Sequence, residues 1–365
     1  MNYHYIHIIT NFSDIGGAEL MLIKAINASG IRHRHTIVSL MRVSDELKSR
    51  IHQDVEFFEL KSSNALDLLR SALLVKRIIS NADSINAVYS WMYHANFVGA
   101  LAKILLKNKI RLIWGVRHSL DDFKGEKLST KLAIIGGKLI SHVPDKIVYC
   151  SIKSKAQHCD FGYGSHSKSV YIPNGYDLPV IKKRDFEKRD FVFGAAGRFH
   201  DAKDYYILFK AMAPVLSENP LFSLRIAGRG MTNDNVIIQG YIKKLEINSS
   251  QVYLLGQQDD MNSFYQGIDF FILTSKTEGF PNVLAESSGF GCISFSTRVG
   301  DSPEIIDRAR IVEVGDATSL TRLLFSYLRK ESSDLSLISY QSQLYIKKRF
   351  SIDQVTEKLF SLRNN

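Results

Sequence analysis

The run Asp269-Phe270-Phe271-Ile272-Leu273-Thr274 leads directly into Ser275-Lys276-Thr277-Glu278-Gly279-Phe280-Pro281-Asn282-Val283-Leu284-Ala285-Glu286. The first six residues have the length and apolar character of a buried strand, and the spacing turns helical after a glycine and a proline. Strand, tight turn and helix in succession are the repeating piece of a parallel α/β sheet. Gly279 permits the turn and Pro281 suits the first position of a helix. The amides of Asn282, Val283 and Leu284 are therefore expected to be open to an anion such as a diphosphate. Glu278 precedes the helix and Glu286 lies in its second turn, so one carboxylate can meet sugar hydroxyls and the other a ribose diol.

The same rhythm extends in both directions. Short apolar or β-branched runs at 5–9, 35–40, 85–90, 111–116, 146–150 and 169–172 read as strands separated by helical stretches. After a polar, charged segment at 177–190 the pattern restarts at 191–196, 222–227, 251–255, 269–274, 292–296 and 310–314. The fold class is α/β with two Rossmann-like domains of parallel sheet, 1–176 and 177–345. Leu344, Phe350, Val355, Leu359 and Leu362 have helical spacing and predict a C-terminal helix over 346–365, able to pack back on the first domain. Doubly wound sheets bind ligands at the carboxyl ends of their strands, so the two domains are expected to face each other across a shared cleft.

Composition narrows the class. A chain of 365 residues exceeds the size at which one hydrophobic core keeps growing, and 45% apolar with 23% charged residues is the balance of a soluble globular protein. The start, Met1-Asn2-Tyr3-His4-Tyr5-Ile6, has no basic region before an apolar run, so neither a signal peptide nor a spanning helix is expected and the location expected is cytoplasmic. Cys150, Cys159 and Cys292 lack metal-ligand or redox spacing and read as buried thiols. Of the net charge of +10, residues 1–175 carry most, with 23 Lys and Arg against 14 Asp and Glu. No nucleic-acid recognition motif accompanies that charge, so anionic substrates or an anionic membrane are the expected partners. Within 124–143, Leu128, Leu132, Ile135 and Leu139 recur at helical spacing with Lys124, Lys127, Lys131 and Lys138 around them. The expectation is an ordinary amphipathic helix with its stripe on the sheet, and the alternative is an interfacial helix at a membrane.

Glu278 and Glu286, embedded in Glu-Gly-Phe-Pro-Asn-Val-Leu-Ala-Glu, resemble the donor-site motif of glycosyltransferase family 4, whose members retain anomeric configuration and have the GT-B fold. Gly197-Arg198-Phe199-His200-Asp201-Ala202-Lys203-Asp204 resembles the family's Gly-Arg and Lys-Asp signature. The resemblance implies that Arg198 and Lys203 bracket the donor diphosphate, where fixed cations serve in place of a metal ion. It further implies donor contacts by Gly16, Gly17, Gly279, Phe280, Asn282, Val283, Leu284 and Glu286, and a catalytic set of His118, Arg198, Lys203 and Glu278. Trp91-Met92-Tyr93-His94-Ala95-Asn96 is similar to an acceptor-side segment of bacterial surface-polysaccharide transferases, making Tyr93, His94, Asn96 and Arg117 acceptor candidates. Pro173-Asn174-Gly175 looks like the family's hinge, and Ile226-Ala227-Gly228-Arg229-Gly230, Leu254-Leu255-Gly256 and Val299-Gly300-Asp301-Ser302-Pro303-Glu304-Ile305 agree in order. Gly291-Cys292-Ile293-Ser294 departs from the usual Gly-x-Pro-Val.

The implied activity is transfer of a sugar from a nucleotide diphosphate sugar, by family frequency a uridine one, to a saccharide or lipid-linked saccharide in surface polysaccharide or lipopolysaccharide synthesis. No cofactor or metal is implied, and peripheral contact with the inner face of the plasma membrane follows if the acceptor is lipid-linked. A sugar-nucleotide epimerase of similar fold and a non-catalytic sugar-binding relative are the competing readings. A Rossmann dehydrogenase is disfavoured because no Gly-x-Gly-x-x-Gly follows the first strand.

Overall fold

The computed structural model describes residues 3–364 except 15, 31, 32, 63, 64, 122, 124, 126, 127 and 189, with the side chains of 65 and 66 also left out. The chain divides into two compact units, Met1–Tyr176 with Ile352–Asn365, and Asp177–Ser351.

The first unit runs β1 (Tyr3–Ile9), α1 (Gly17–Ala28), β2 (His33–Ser39), α2 (Asp45–Ser49), β3 (Val55–Glu59), α3 (Ala65–Asn81), β4 (Ala87–Trp91), α4 (Tyr93–Leu105), β5 (Leu112–Val116), α5 (Leu128–Leu139), β6 (Lys146–Tyr149), α6 (Ile152–Phe161) and β7 (Ser169–Tyr171). Its strands pair in parallel in the order β3-β2-β1-β4-β5-β6-β7. β3 is not among the strands the sequence predicts. Its Val-Glu-Phe-Phe-Glu lies at the sheet edge with only Val55 buried, where charged side chains discourage pairing with another chain.

Alternation along β1 sends Tyr5 and Ile9 to one face and Ile6 and Ile8 to the other. The first face is covered by α1 and by the last helix of the chain, the second by α3, α4 and α5. On the first face, hydrogen bonds thread through buried imidazoles. Trp91 Nε1 donates to His7 Nδ1 at 3.4 Å, so the other His7 nitrogen, Nε2, carries the proton toward His35 Nδ1 at 3.0 Å. His35 Nε2 then donates to Ser29 Oγ at 2.9 Å, and that hydroxyl donates to the Ile26 carbonyl at 2.7 Å. A chain satisfied in this way has no place for an extra proton. Burial holds His7 well below the usual imidazole value and lowers His35 to about 3.

The second unit runs β8 (Val192–Ala196), α7 (Tyr205–Glu218), β9 (Ser223–Ala227), α8 (Val236–Lys244), β10 (Val252–Leu254), α9 (Met261–Gln266), β11 (Phe270–Leu273), α10 (Asn282–Gly289), β12 (Ile293–Thr297), α11 (Ser302–Ile305), β13 (Ile311–Val312), α12 (Ala317–Leu328) and α13 (Ser332–Phe350). The parallel order β10-β9-β8-β11-β12-β13 repeats the first unit's arrangement, with β8 in the place of β1. Its core is rich in phenylalanine, with Phe193 stacked on Phe270 at 5.3 Å.

The tail is two helices rather than one over 346–365. Ser351 is extended and stops α13, so residues 346–350 stay with the second unit, and α14 (Ile352–Ser361) completes the first. Phe360 stacks on Tyr5 at 4.6 Å, and the Tyr89 hydroxyl donates to the Leu359 carbonyl at 3.0 Å. Ile352 N donates to the Tyr176 carbonyl at 2.9 Å. Gly175 of the Pro-Asn-Gly stretch is required by this closure, because a Cβ there would lie 2.9 Å from the Ile352 Cα.

The structure corrects the orientation expected of α5. Its buried side is Ala133, Ile134 and Gly137, while Leu128, Leu132, Ile135 and Leu139 are exposed. Lys124 and Lys127 lie outside the described residues. Among the described residues no helix is long and apolar enough to cross a membrane.

Candidate active site

In the second unit the carboxyl ends of β8 and β11 bring together the two motifs. β8 ends at Ala196, and Gly197 turns away with its carbonyl accepting from the Tyr205 hydroxyl at 2.6 Å. The chain passes exposed Arg198, makes one 3-10 turn over Asp201–Lys203, and enters α7 through Asp204, whose φ of 49° is left-handed. Thr274, at the end of β11, donates to the Lys203 carbonyl at 3.1 Å, and Lys276 N donates to the Ala202 carbonyl at 2.8 Å. The loop that carries Lys203 is thereby fastened to the one that carries Glu278.

The side chains meet as well. Lys203 Nζ lies 2.6 Å from Glu278 Oε1, which also accepts from Ser275 Oγ at 2.7 Å. Both partners are mostly buried, with side chains 23% and 16% exposed. Burial strengthens such a pair relative to a surface one. Arg198, by contrast, makes no ion pair among the described residues and is exposed. Burial, aided by the charge of Glu278, pushes the nearby Tyr205 phenol well above its ordinary value, so it stays a neutral donor.

After Glu278, Phe280 is buried and its ring meets Phe350 edge-on at 5.6 Å. Pro281 caps α10 without a side-chain bond, so its first turn relies on backbone or ligand for partners. Of the three amides expected to be open, that of Leu284 bonds the Pro281 carbonyl at 3.0 Å. Half-buried Asn282 and Val283 stand at the mouth of the helix. One turn on, Glu286 accepts from the Tyr265 hydroxyl at 2.9 Å, which fixes the carboxylate's orientation.

Two glycines hold the site by what they lack. A Cβ on Gly300, whose φ is 46°, would run into the Gly279 carbonyl oxygen, and Asp301 N donates to that same carbonyl at 3.0 Å. Gly228, at φ 148°, lies equally close to the Gly197 carbonyl. Sequence reasoning placed Gly228, Gly300 and Ser275 in motifs without a role, and it passed over Tyr265. A serine three residues before Glu278 carries no signal of its own, and Tyr265 is 21 residues from its partner.

The first unit's candidates separate into two kinds. Tyr93 and Asn96 are 1% and 0% exposed. The Tyr93 hydroxyl bonds His158 Nε2 at 2.8 Å, and Asn96 accepts from Ser90 Oγ at 2.7 Å while donating to the Gly115 carbonyl. Their polar atoms serve the core. His94 is half-buried, and burial lowers its imidazole below the usual value. Arg117 follows β5 directly, with its guanidinium 4.9 Å from the Trp91 ring centre and a hydrogen bond to the Asn174 side-chain oxygen. His118 beside it is exposed, and its carbonyl accepts from Ser154 Oγ at 2.6 Å. Gly16 caps α1 without a side-chain bond and lies under the folded-back Glu19 carboxylate, whereas a Cβ on exposed Gly17 would meet nothing within 4 Å.

Residues 190–329 match the family model Glycosyl transferases group 1. The capsular polysaccharide biosynthesis glycosyltransferase CapM of Staphylococcus aureus is 22% identical over 87% of each chain. Across the whole chain, the structure of Anabaena Alr3699/HepE in complex with UDP matches with a TM-score of 0.77 at 17% identity, covering 98% of both chains. This chain has the GT-B fold. The N-acetylgalactosamine-N,N'-diacetylbacillosaminyl-diphospho-undecaprenol 4-alpha-N-acetylgalactosaminyltransferase of Campylobacter jejuni is 23% identical to this chain over 76% of each chain. Some relatives align over less, as with an uncharacterized glycosyltransferase of Methanocaldococcus jannaschii matched over 56% of its length.

Proposed function

We propose that the enzyme transfers a sugar, with retention of anomeric configuration and without a metal ion, from a uridine diphosphate sugar to a saccharide or lipid-linked saccharide in surface polysaccharide synthesis. The observation that carries this reading is the Lys203–Glu278 pair at the mouth of α10, with Arg198 exposed in the same unit and making no ion pair among the described residues. A diphosphate arriving there offers Lys203 a stronger partner than Glu278. Lys203 and Arg198 then neutralise the charge that grows on the departing phosphate oxygen, and Glu278 is released to accept from the donor sugar's hydroxyls. Glu286, held by Tyr265, meets the ribose, and the first amides of α10 meet the phosphates.

The acceptor falls to the first unit, residues 1–176, with Arg117 and His94 as its candidate contacts, while His118 is assigned to the transferred sugar and Gly17 to the donor phosphates. Retention is favoured by the family resembled and by the absence from the motifs of a carboxylate placed as an inverting base. A lipid-linked acceptor is supported by the diphospho-undecaprenol named for the Campylobacter relative, and the basic charge of the first 175 residues suits an anionic bilayer at the cytoplasmic face.

The test is a panel of nucleotide sugars in excess chelator, read by thermal shift and by release of nucleoside diphosphate. A uridine diphosphate sugar is expected to stabilise the protein and to be turned over slowly by water. No stabilisation by any nucleotide sugar, or activity only when magnesium is restored, overturns the proposal.

A further inference from the structure

The exposed stripe of α5 is the largest conflict between residue type and environment in the first unit. Leu128, Leu132, Ile135 and Leu139 are 72%, 61%, 44% and 72% exposed. At about 100° per residue, the four fall within roughly 60° of arc, and Ala133, Ile134 and Gly137 centre on the opposite side. The helix therefore presents an apolar ridge straight outward. Gly137 explains why it does not roll over. A Cβ there would lie 2.7 Å from the Tyr163 hydroxyl, and one on Gly136 would lie 3.3 Å from the Phe97 ring. The small side is pressed onto α4 and Tyr163, leaving the large side no surface within its own unit.

The polar residues of α5 say what the ridge suits. Leu128–Leu139 contains Lys131 and Lys138 and no Asp or Glu. On the same wheel both lysines lie on one flank of the ridge, roughly 70° and 90° from its centre, and the Lys138 ammonium rests 4.5 Å from the centre of the Phe161 ring. Long lysine stems with charged ends beside an apolar ridge match a bilayer boundary, where acyl chains receive the leucines and anionic headgroups the ammonium ions. In the same helical layer, α3 adds Leu69 and Leu73, each 56% exposed, next to Arg70 and Arg77. A second copy of the chain would meet α5 with the same lysines and no carboxylate to answer them.

We propose that the outward face of α5 is the surface by which this protein docks reversibly on an anionic bilayer, with Leu128, Leu132, Ile135 and Leu139 entering the interface and Lys131 and Lys138 binding headgroups. The inference deepens the reading of a lipid-linked acceptor and rests on it for its purpose, though the surface itself is argued from α5 alone.

Cosedimentation of the full chain with vesicles of equal phosphatidylglycerol and phosphatidylcholine, and with phosphatidylcholine alone, tests it. The wild type is expected to bind the first and not the second, and to release as salt rises from about 50 to 500 mM. Leu132→Glu with Leu139→Glu is expected to weaken binding on the order of tenfold or more, and Lys131→Glu with Lys138→Glu to weaken it and flatten the salt response. Leu337→Glu, at a 51% exposed leucine of the second unit, is the control expected to bind as wild type. Leu132→Ser with Leu139→Ser repeats the test should the glutamates disturb folding. Equal binding by the ridge variants overturns the proposal, as does a wild type that ignores anionic vesicles. A wild-type dimer that the ridge variants make monomeric, with no vesicle binding, overturns it in favour of self-association. Thermal shift by uridine diphosphate, run on each variant, reports the donor site separately, so failure of docking and failure of the transferase reading are told apart.

Discussion

Both units wind a parallel sheet in the same order from their first strand, yet they use the ends of their strands differently. At the ends of β8 and β11, polar side chains are joined to one another, with Lys203, Glu278 and Ser275 in one cluster and Arg198 exposed, without an ion pair among the described residues. At the ends of β4 and β5, Tyr93 and Asn96 turn inward and are consumed by the core, Arg117 is held between the Trp91 ring and Asn174, and His118 is left exposed. The same topology thus joins its polar side chains into one charged cluster in one unit and spends most of them on core contacts in the other. A diphosphate is common to many donors, whereas acceptors vary, and the charged cluster is the one expected to be general.

The sharpest break in this comparison is Arg198→Ala. Loss of a fixed cation at the developing charge is expected to lower the transfer rate on the order of a hundredfold or more. The exposed position should leave the melting temperature within the wild-type error. A rate change below threefold would remove Arg198 from the site and with it the contrast between the units.

Acid should separate the units next. Ten of the eleven histidines lie in the first unit, with His35 lowered to about 3, His158 to about 4 and His7 held lower than usual, each chiefly by burial. Because the folded values are depressed, the unfolded chain binds more protons below about pH 6.5. The stability these groups confer is complete above that pH and is lost as pH falls toward 4 and 3. Trp91 and Trp114, the two tryptophans, are both buried in this unit, so their fluorescence reports it alone. Fluorescence is expected to change at a higher pH than the bulk of the far-ultraviolet circular dichroism. Coincident transitions would mean that the units do not differ in acid sensitivity.

A smaller effect is expected of Tyr93→Phe, which removes one buried hydrogen bond to His158. A cost of about 1 kcal/mol, or about 2–4 °C in melting temperature, should accompany unchanged KM for the acceptor. A raised KM with unchanged stability would return Tyr93 to the acceptor site. The smallest stability change is expected of Gly17→Ala, where the Cβ enters open space and a helix former replaces glycine. Melting should rise slightly or stay level while transfer falls if a ligand approaches that backbone. Unchanged transfer would make Gly17 an ordinary helix start.

Much of this was legible in the sequence because the strands are short apolar runs and the donor motif is local. Glu278, Gly279 and Pro281 are neighbours whose chemistry follows from their order. β3 was missed because an edge strand with Glu56 and Glu59 has no apolar run to betray it. The ion pair of Lys203 with Glu278 spans 75 residues, and nothing local to either side chain indicates it. The α5 stripe shows a different limit. Periodicity reveals that Leu128, Leu132, Ile135 and Leu139 share a face, but the direction of that face depends on Gly137 meeting Tyr163, a contact between distant positions.

The placement of α14 sets an order of events during synthesis. The first unit needs Phe360 over Tyr5, and the carbonyls of Leu359 and Leu362 for Tyr89 and Arg111, so its core cannot close until residue 362 has left the ribosome. The second unit is one continuous segment, and every strand and helix it contains has emerged by Ser351. The half made later is therefore able to finish first, while the half made earlier waits with an uncovered sheet face bearing Tyr5, His7 and Tyr89. A nascent chain stalled before residue 352 should hold a protease-resistant second unit tethered to a first unit still open to cleavage and to chaperones.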